Sequence, residues 1–151
     1  MKFKISSIQS GTINGIGISL EIWLQGCNLA CIGCQNPDLQ DFSGGTYYDT
    51  NLLLEHITKY NNFYNSIVFL GGEPLCQPKA LYEIASKSKL PNILYTGYNY
   101  SGIPDYIKDV MYVIVAGPYK EEFKTDGFPV TANQEIYIDN ILTTNDFRTK
   151  F

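Results

Sequence analysis

Apolar residues alternate with polar or small ones over Phe3 to Ile8 and again over Ile16 to Leu24. In the second stretch Ile16, Ile18, Leu20, Ile22 and Leu24 interleave with Gly17, Ser19, Glu21 and Trp23. A period of two predicts strands. The second strand ends at Gly26 and runs straight into Cys27; a polar, glycine-rich loop containing Pro37 then extends to Tyr48. Asp49 or Thr50 is placed to cap a helix over residues 50–60, with Leu52, Leu53 and Ile57 on one face. Ser66 to Leu70 is a short apolar run, read as a buried strand that stops at Gly71-Gly72-Glu73-Pro74. Residues 78–88 have helical spacing, with Leu81, Ile84 and Ala85 on one face and Pro78 near the first turn. Asn92 to Thr96 reads as the next strand, 104–109 as a short helix, Val110 to Val115 as another strand and Glu135 to Ile138 as the last.

Strand and helix thus alternate from about residue 16 to 116, which predicts an α/β fold with a mostly parallel sheet and helices packed outside it. A βα unit takes ~30 residues, so the chain holds about four to five units. A closed eight-fold barrel takes ~250 residues, so any barrel in these 151 residues is incomplete. The length suits a single domain spanning 1–151. The first three parallel strands end at Gly26-Cys27, at Gly71 to Pro74 and at Thr96-Gly97-Tyr98. Ligands collect at the carboxyl ends of such strands, so these motifs are expected along one edge.

A hydrophobic fraction of 44% with 17% charged residues fits a globular chain. The net charge of −4 lacks the basic footprint of a nucleic-acid binder. No apolar run is long enough to span a bilayer, and the start lacks the apolar stretch of a signal peptide. The expected location is the cytoplasm, with neither membrane nor nucleic acid as partner.

Three of the four cysteines form Cys27-x3-Cys31-x2-Cys34. In a reducing compartment such clustering points to metal ligation rather than disulfides. Three thiolates can hold three corners of an iron–sulfur cube; four protein ligands would close it. Cys76 could supply the fourth, giving a non-catalytic iron–sulfur carrier. With three ligands, one iron stays open to a small molecule. Zinc sites use paired knuckles with four ligands; here a second knuckle is missing and His56 is the sole histidine. The glycines of Gly71-Gly72 allow close backbone approach of a ligand, and the carbonyls and the Glu73 carboxylate could accept hydrogen bonds from an ammonium group. Cys76 otherwise reads as a small buried residue, His56 as a packing residue, Trp23 as facing another layer, and Asp38 and Asp41 as solvated. The tyrosines carry no separate claim.

These motifs together resemble the radical S-adenosylmethionine enzymes, and more narrowly the activating proteins of anaerobic (class III) ribonucleotide reductases. The likeness runs through Ile13-Asn14-Gly15, Gln25 to Pro37 with Asp41-Phe42, Gly71 to Pro74, Tyr95-Thr96-Gly97-Tyr98, Gly117-Pro118-Tyr119 and Asn133-Gln134. It departs where a histidine is replaced by Leu29, an aspartate by Ala116, and a Ser-Ser pair by Thr131-Ala132. The resemblance implies a [4Fe–4S] cluster on Cys27, Cys31 and Cys34, with S-adenosylmethionine contacted by Gly33, Gln35, Gly71, Gly72, Glu73, Thr96 and Asn133. No side chain is then a catalytic residue, because cluster and cosubstrate carry the chemistry. It further implies a flavodoxin- or ferredoxin-type reductant and a glycyl-radical loop on the large subunit of the reductase as substrate. The alternatives are another glycyl-radical partner, a small-molecule substrate as in deazapurine synthesis, or the carrier.

Overall fold

The computed structural model describes residues 1–148. Its strands are β1 (Lys2–Gly11), β2 (Ser19–Leu24), β3 (Thr46–Asp49), β4 (Ser66–Gly71), β5 (Asn92–Thr96), β6 (Val113–Ala116), β7 (Glu135–Ile138) and β8 (Ile141–Thr143). They form one sheet in the order β3-β1-β2-β4-β5-β6-β7-β8. The central β2, β4, β5 and β6 run parallel. The flanking strands pair antiparallel at both sides.

Helices α1 (Thr50–Lys59), α2 (Pro78–Lys87) and the single turn α3 (Asp105–Lys108) lie in the crossovers. Asp49 caps α1, its Oδ1 accepting the Asn51 N–H at 2.8 Å. The buried stripe of α1 is Leu53 and Ile57, an i,i+4 pair. Leu52, expected on that face, is 55% exposed. Five residues from Leu52 to Ile57 turn the helix well past one face. In α2 Ala80, Leu81, Ile84 and Ala85 are buried, and Pro78 opens the helix.

The parallel strands bury both faces, which explains their nearly continuous apolar runs. One face is a row of Ile22, Phe69, Leu94 and Ile114, in register across four strands. It packs against Leu53, Ile57, Leu81, Ile84 and Ile107 from the helices. Each such side chain, fully buried, contributes about 1.5–3 kcal/mol. The opposite face carries Val68, Leu70, Ile93, Val113, Val115 and Ile136, and no helix of the described residues packs on it. Trp23, Tyr95, Phe128 and Phe147 cover it instead. Trp23 therefore belongs to this second layer. So does Glu21, which is only 3% exposed and accepts hydrogen bonds from Gln9 (3.3 Å), Asn14 (3.0 Å) and the Trp23 indole (3.1 Å).

Some boundaries differ from expectation. Ile16 and Ile18 lie in the turn before β2, where Asn65 and Ser66 side chains accept their backbone N–H groups. Val110 and Met111 precede β6, and Tyr112 bonds back to the Asn92 carbonyl at 2.8 Å. Strand β3, inside the expected loop, and strand β8 were not anticipated. The Asp139-Asn140 turn joins β7 to β8 with φ of 50° and 61°, the left-handed pair of a tight hairpin. No helix among the described residues is long and apolar enough to cross a membrane.

Candidate functional site

Strand β2 delivers the chain to the cysteine loop, and the loop's neck is tied shut. The N–H groups of Gly26 and Cys27 donate to the carbonyls of Leu39 (2.7 Å) and Gln40 (3.1 Å). Gln25 is buried, and its amide donates to the carbonyls of Asp38 (3.1 Å) and Asp41 (2.7 Å). Gly26 is required here, because its φ is +102° and the Phe42 ring fills the space of a Cβ. Ala30 holds φ of 47°, a strained conformation for a non-glycine residue.

The three thiols sit on this one turn, half-exposed and unpaired by disulfides. Cys34 N–H donates to the Cys31 carbonyl at 3.2 Å, and the Cys27 sulfur accepts the Leu29 N–H at 3.4 Å. Burial pushes the Cys31 thiol above its ordinary value, the Tyr119 backbone opposes this, and the charges of Cys27 and Cys34 add to it. Cys31 thus feels both of the other thiols. Among the described residues, no group of three His, Cys, Asp or Glu side chains is set to hold a single metal ion. The donor set suits a cluster: soft thiolates only, on a loop with room to wrap it.

The glycine turn after β4 is bonded directly to the base of that loop. Gly72 N–H donates to the Leu24 carbonyl (2.9 Å) and Glu73 N–H to the Gly26 carbonyl (2.8 Å). A Cβ on Gly72 would strike the Gly26 carbonyl oxygen, and Leu39 O would lie 2.7 Å away. Gly71 has φ of +114°, with Leu24 backbone 2.5 Å from the position of a Cβ. The Glu73 side chain was expected to face an ammonium group. It turns inward instead and is 1% exposed. Its carboxylate accepts hydrogen bonds from Leu75 N–H (2.8 Å), Gly97 N–H (2.7 Å) and the Thr96 hydroxyl (2.9 and 3.0 Å). Burial pushes its carboxyl above the ordinary value, against the pull of those donors. Glu73 therefore braces the turn after β5, and so does Thr96.

That turn closes the third side. The Leu29 side chain leans on Gly97, and Asn28 donates to the Tyr98 hydroxyl at 2.9 Å. Cys76 was expected to be buried. It is half-exposed, donates to Asn28 Oδ1 at 3.3 Å and feels the charge of Cys27. His56 packs on Tyr60 with ring centroids 4.8 Å apart, away from these loops. After β6, the amide of Gln134 donates to the Gly117 carbonyl (3.2 Å) and that of Asn133 to the Pro118 carbonyl (2.9 Å). The buried Oδ1 of Asn133 has no hydrogen-bond partner among the described residues. An acceptor left open in this way fits an N–H of a ligand.

A cavity of about 390 Å³ opens between these loops, lined by Cys31, Cys34, Gln35, Gly71, Thr96, Gly97 and Gln134. The sheet's helix-free face contributes Trp23, Leu70, Tyr95 and Val115. Of the residues expected from the sequence, these loops bring together all three cysteines, Gln35, Gly71, Gly72, Glu73 and Thr96. Gly33, with φ of +74°, abuts the Glu121 side chain. Tyr119, Phe128 and Arg148 also line the cavity and were not singled out. Only Tyr119 had a signal, its place after Gly117-Pro118.

A family profile described as "4Fe-4S single cluster domain" matches residues 13–137. The pyruvate formate-lyase-activating enzyme of Clostridium pasteurianum is 31% identical over 121 residues, 74% of this chain and 51% of that protein. The corresponding enzyme of Listeria monocytogenes is 30% identical over 60% of this chain and 38% of its own length. The pyruvate formate-lyase 1-activating enzyme of Escherichia coli K12 is 33% identical over 49% of this chain and 32% of its own. The chain thus spans about a third to a half of these relatives. Among solved structures, QueE from Escherichia coli superposes with a TM-score of 0.58 at 16% identity, covering 80% of this chain and 61% of that one. That likeness concerns the fold.

Proposed function

We propose that this chain, which belongs to the family of 4Fe–4S single-cluster domains, is a radical S-adenosylmethionine enzyme and a glycyl-radical activase. Cys27, Cys31 and Cys34 hold the cluster. The backbone of Gly71-Gly72, with Gly33, Gln35, Thr96 and Asn133, receives S-adenosylmethionine. The cluster held there would supply one-electron reductive cleavage of the bound S-adenosylmethionine, with the electron coming from a flavodoxin- or ferredoxin-type donor and a glycine of the partner giving up the hydrogen atom. This chain's residues fix positions. The bonds from Gly72 and Glu73 to Leu24 and Gly26 lock the glycine turn to the cysteine loop. Glu73 then carries that alignment to Gly97. Trp23, Leu70 and Val115 give the cavity an apolar wall, which would limit water around a bound cosubstrate.

One observation carries this reading: the cysteine loop and the glycine turn share backbone hydrogen bonds at the mouth of one cavity. The partner we propose is the anaerobic ribonucleoside-triphosphate reductase, on the strength of Tyr95 to Tyr98 and Asn133-Gln134, and the place of action is the cytoplasm. The names of the curated relatives favour a second reading, in which the partner is a pyruvate formate-lyase. The test is anaerobic reconstitution followed by reduction. S-adenosylmethionine should change the cluster's electron paramagnetic resonance signal and 5′-deoxyadenosine should form. Glycyl radical should then appear on the reductase and not on the lyase. An unchanged signal with no 5′-deoxyadenosine removes both readings.

A further inference from the structure

We propose that Glu21 makes the site selective for a cationic cosubstrate: its unopposed charge, held one side chain behind the cavity wall, favours the sulfonium of S-adenosylmethionine over a neutral thioether. This rests on the activase reading above.

Glu21 sits in the middle of β2, opposite Val68 of β4, in a stretch that is otherwise apolar. Its carboxylate is enclosed, and Gly11 makes room for it: a Cβ there would strike Oε2. The three partners of the carboxylate, the side chains of Gln9, Asn14 and Trp23, all donate N–H groups and carry no charge. That is the arrangement an ionised carboxylate needs. No ion pair among the described residues involves Glu21. Burying a charge without a cation is costly, and an apolar residue in its place would continue the row of Val68 and Leu70. A local rule broken at this expense points to function.

Two of the three donors, Asn14 and Trp23, are themselves part of the cavity wall. The Asn14 carbonyl accepts the hydroxyl of Tyr95, a third lining residue, at 2.7 Å. Burial pushes that hydroxyl well above its ordinary value; Arg148 opposes this, and Asp146 and then Glu21 add to it, so the Glu21 charge reaches the wall. Besides the cysteines, the charged side chain lining the cavity is Arg148, and Asp146 holds its guanidinium at 2.9 and 3.0 Å and offsets it. The other buried carboxyl at these loops, Glu73, is pushed toward its neutral form by burial. A cation in the cavity therefore meets the Glu21 charge across neutral, largely apolar side chains, which screen it far less than water does. For unit charges ~10 Å apart at an effective dielectric constant of about 20, the attraction is worth about tenfold in affinity.

The test uses the reconstituted holoprotein with its cluster oxidised, so that nothing is cleaved. Anaerobic equilibrium dialysis measures its affinity for S-adenosylmethionine and for S-adenosylhomocysteine, which differ by one methyl group and the positive charge. In Glu21→Gln the amide oxygen still accepts from Trp23, and the Asn14 amide can turn to meet the new NH2 group, so the wall keeps its shape and loses its charge. Gln9 is exposed and stands opposite Glu21 on β1. Gln9→Lys therefore sets an ammonium against the carboxylate and leaves the buried residues untouched. The ratio of the two affinities should fall about tenfold in Glu21→Gln and at least about threefold in Gln9→Lys, with the thioether bound as tightly as before. An unchanged ratio in either variant overturns the selectivity; the Gln9→Lys result stands even where the buried substitution prevents folding. An equal loss for both ligands in Glu21→Gln marks a structural role and overturns it too. Absence of 5′-deoxyadenosine from the unaltered chain after reduction overturns the activase reading instead.

Discussion

Replacing Gly72 by alanine tests whether the glycine turn and the cysteine loop are one rigid unit. The residue does not have a positive φ, so the substitution adds a steric demand and no backbone strain. The three atoms nearest the added Cβ are all backbone: the Gly26 carbonyl oxygen, Leu39 O at 2.7 Å and Gly26 C at 2.8 Å. Ordinary contact begins near 3.4 Å, so turn and loop have to part by about 0.7 Å or more. Neither can give locally, because Gly26 N–H is bonded to Leu39 and Glu73 N–H to Gly26. Overpacking of this kind costs about 1–3 kcal/mol of stability. A misplacement near 1 Å costs on the order of 100-fold in rate, so cosubstrate cleavage should fall about 10- to 100-fold while iron content stays unchanged. Two further glycines serve as controls. At Gly102 the nearest atom would be Tyr98 Cδ2 at 3.7 Å, and alanine should be neutral within about 0.5 kcal/mol. At Gly97 the obstruction is the tip of the Leu29 side chain, which can rotate away, so alanine there should cost less than about 1 kcal/mol. The assay is 5′-deoxyadenosine formed under anaerobic reduction, with melting temperature and iron measured on the same samples. Wild-type cleavage by Gly72→Ala would refute the rigid-unit reasoning.

Glu73→Ala leaves the Thr96 hydroxyl and the Gly97 and Leu75 N–H groups without their buried acceptor. At ~1–3 kcal/mol for each unsatisfied group, the melting temperature should drop by well over 5 °C, and a drop under 2 °C would contradict the bracing role. The raised carboxyl of Glu73 means that the folded chain holds its proton to higher pH than the unfolded chain. Its contribution to stability is therefore greatest below the ordinary carboxylate range and declines as pH rises through the folded-state value. Glu73→Gln should flatten that decline, measured as the difference in melting temperature between variant and wild type from pH 4 to 7. Cys76→Ala should leave iron content at the wild-type level; loss of the cluster would make Cys76 a fourth ligand and restore the carrier reading. Asp49→Ala removes the cap on Asn51 N–H and should cost about 0.5–2 kcal/mol in denaturant unfolding.

What the sequence disclosed follows from where burial imposes a pattern. Strands β4, β5 and β6 were legible because both faces are covered, which forces unbroken apolar runs. The cap at Asp49 was legible because it is local. Strand β3, with Tyr47 69% exposed, and strand β8, with Ile141 68% and Leu142 56% exposed, lie at the sheet's two edges and bury little. No periodicity marks them. The inward turn of Glu73 could not be read from its neighbours, since its donors Thr96 and Gly97 come 23 and 24 residues later. Phe147 sits in a stretch without regular structure, and its burial depends on an aromatic pair contributed by β5 and the loop before β7.

The gathering of chemistry at one edge has a cause in the sheet register. Leu24 stands opposite Gly71, and Thr96 opposite Ala116, so the parallel strands β2 and β4, and likewise β5 and β6, stop level with one another. Where a parallel ladder stops, its last backbone groups need partners. Here the loops supply them to each other: Gly72 to Leu24, Glu73 to Gly26, Gly117 to Thr96. The same bonds that end the sheet therefore fix the cysteine loop against the glycine turn. A slip of one residue between β2 and β4 would turn Val68 and Leu70 to the helix side and part Gly72 from Leu24. Core packing on both faces thus enforces the alignment of the site, and a substitution that loosens Phe69 or Leu94 should reach the cysteines through the register before it unfolds the chain.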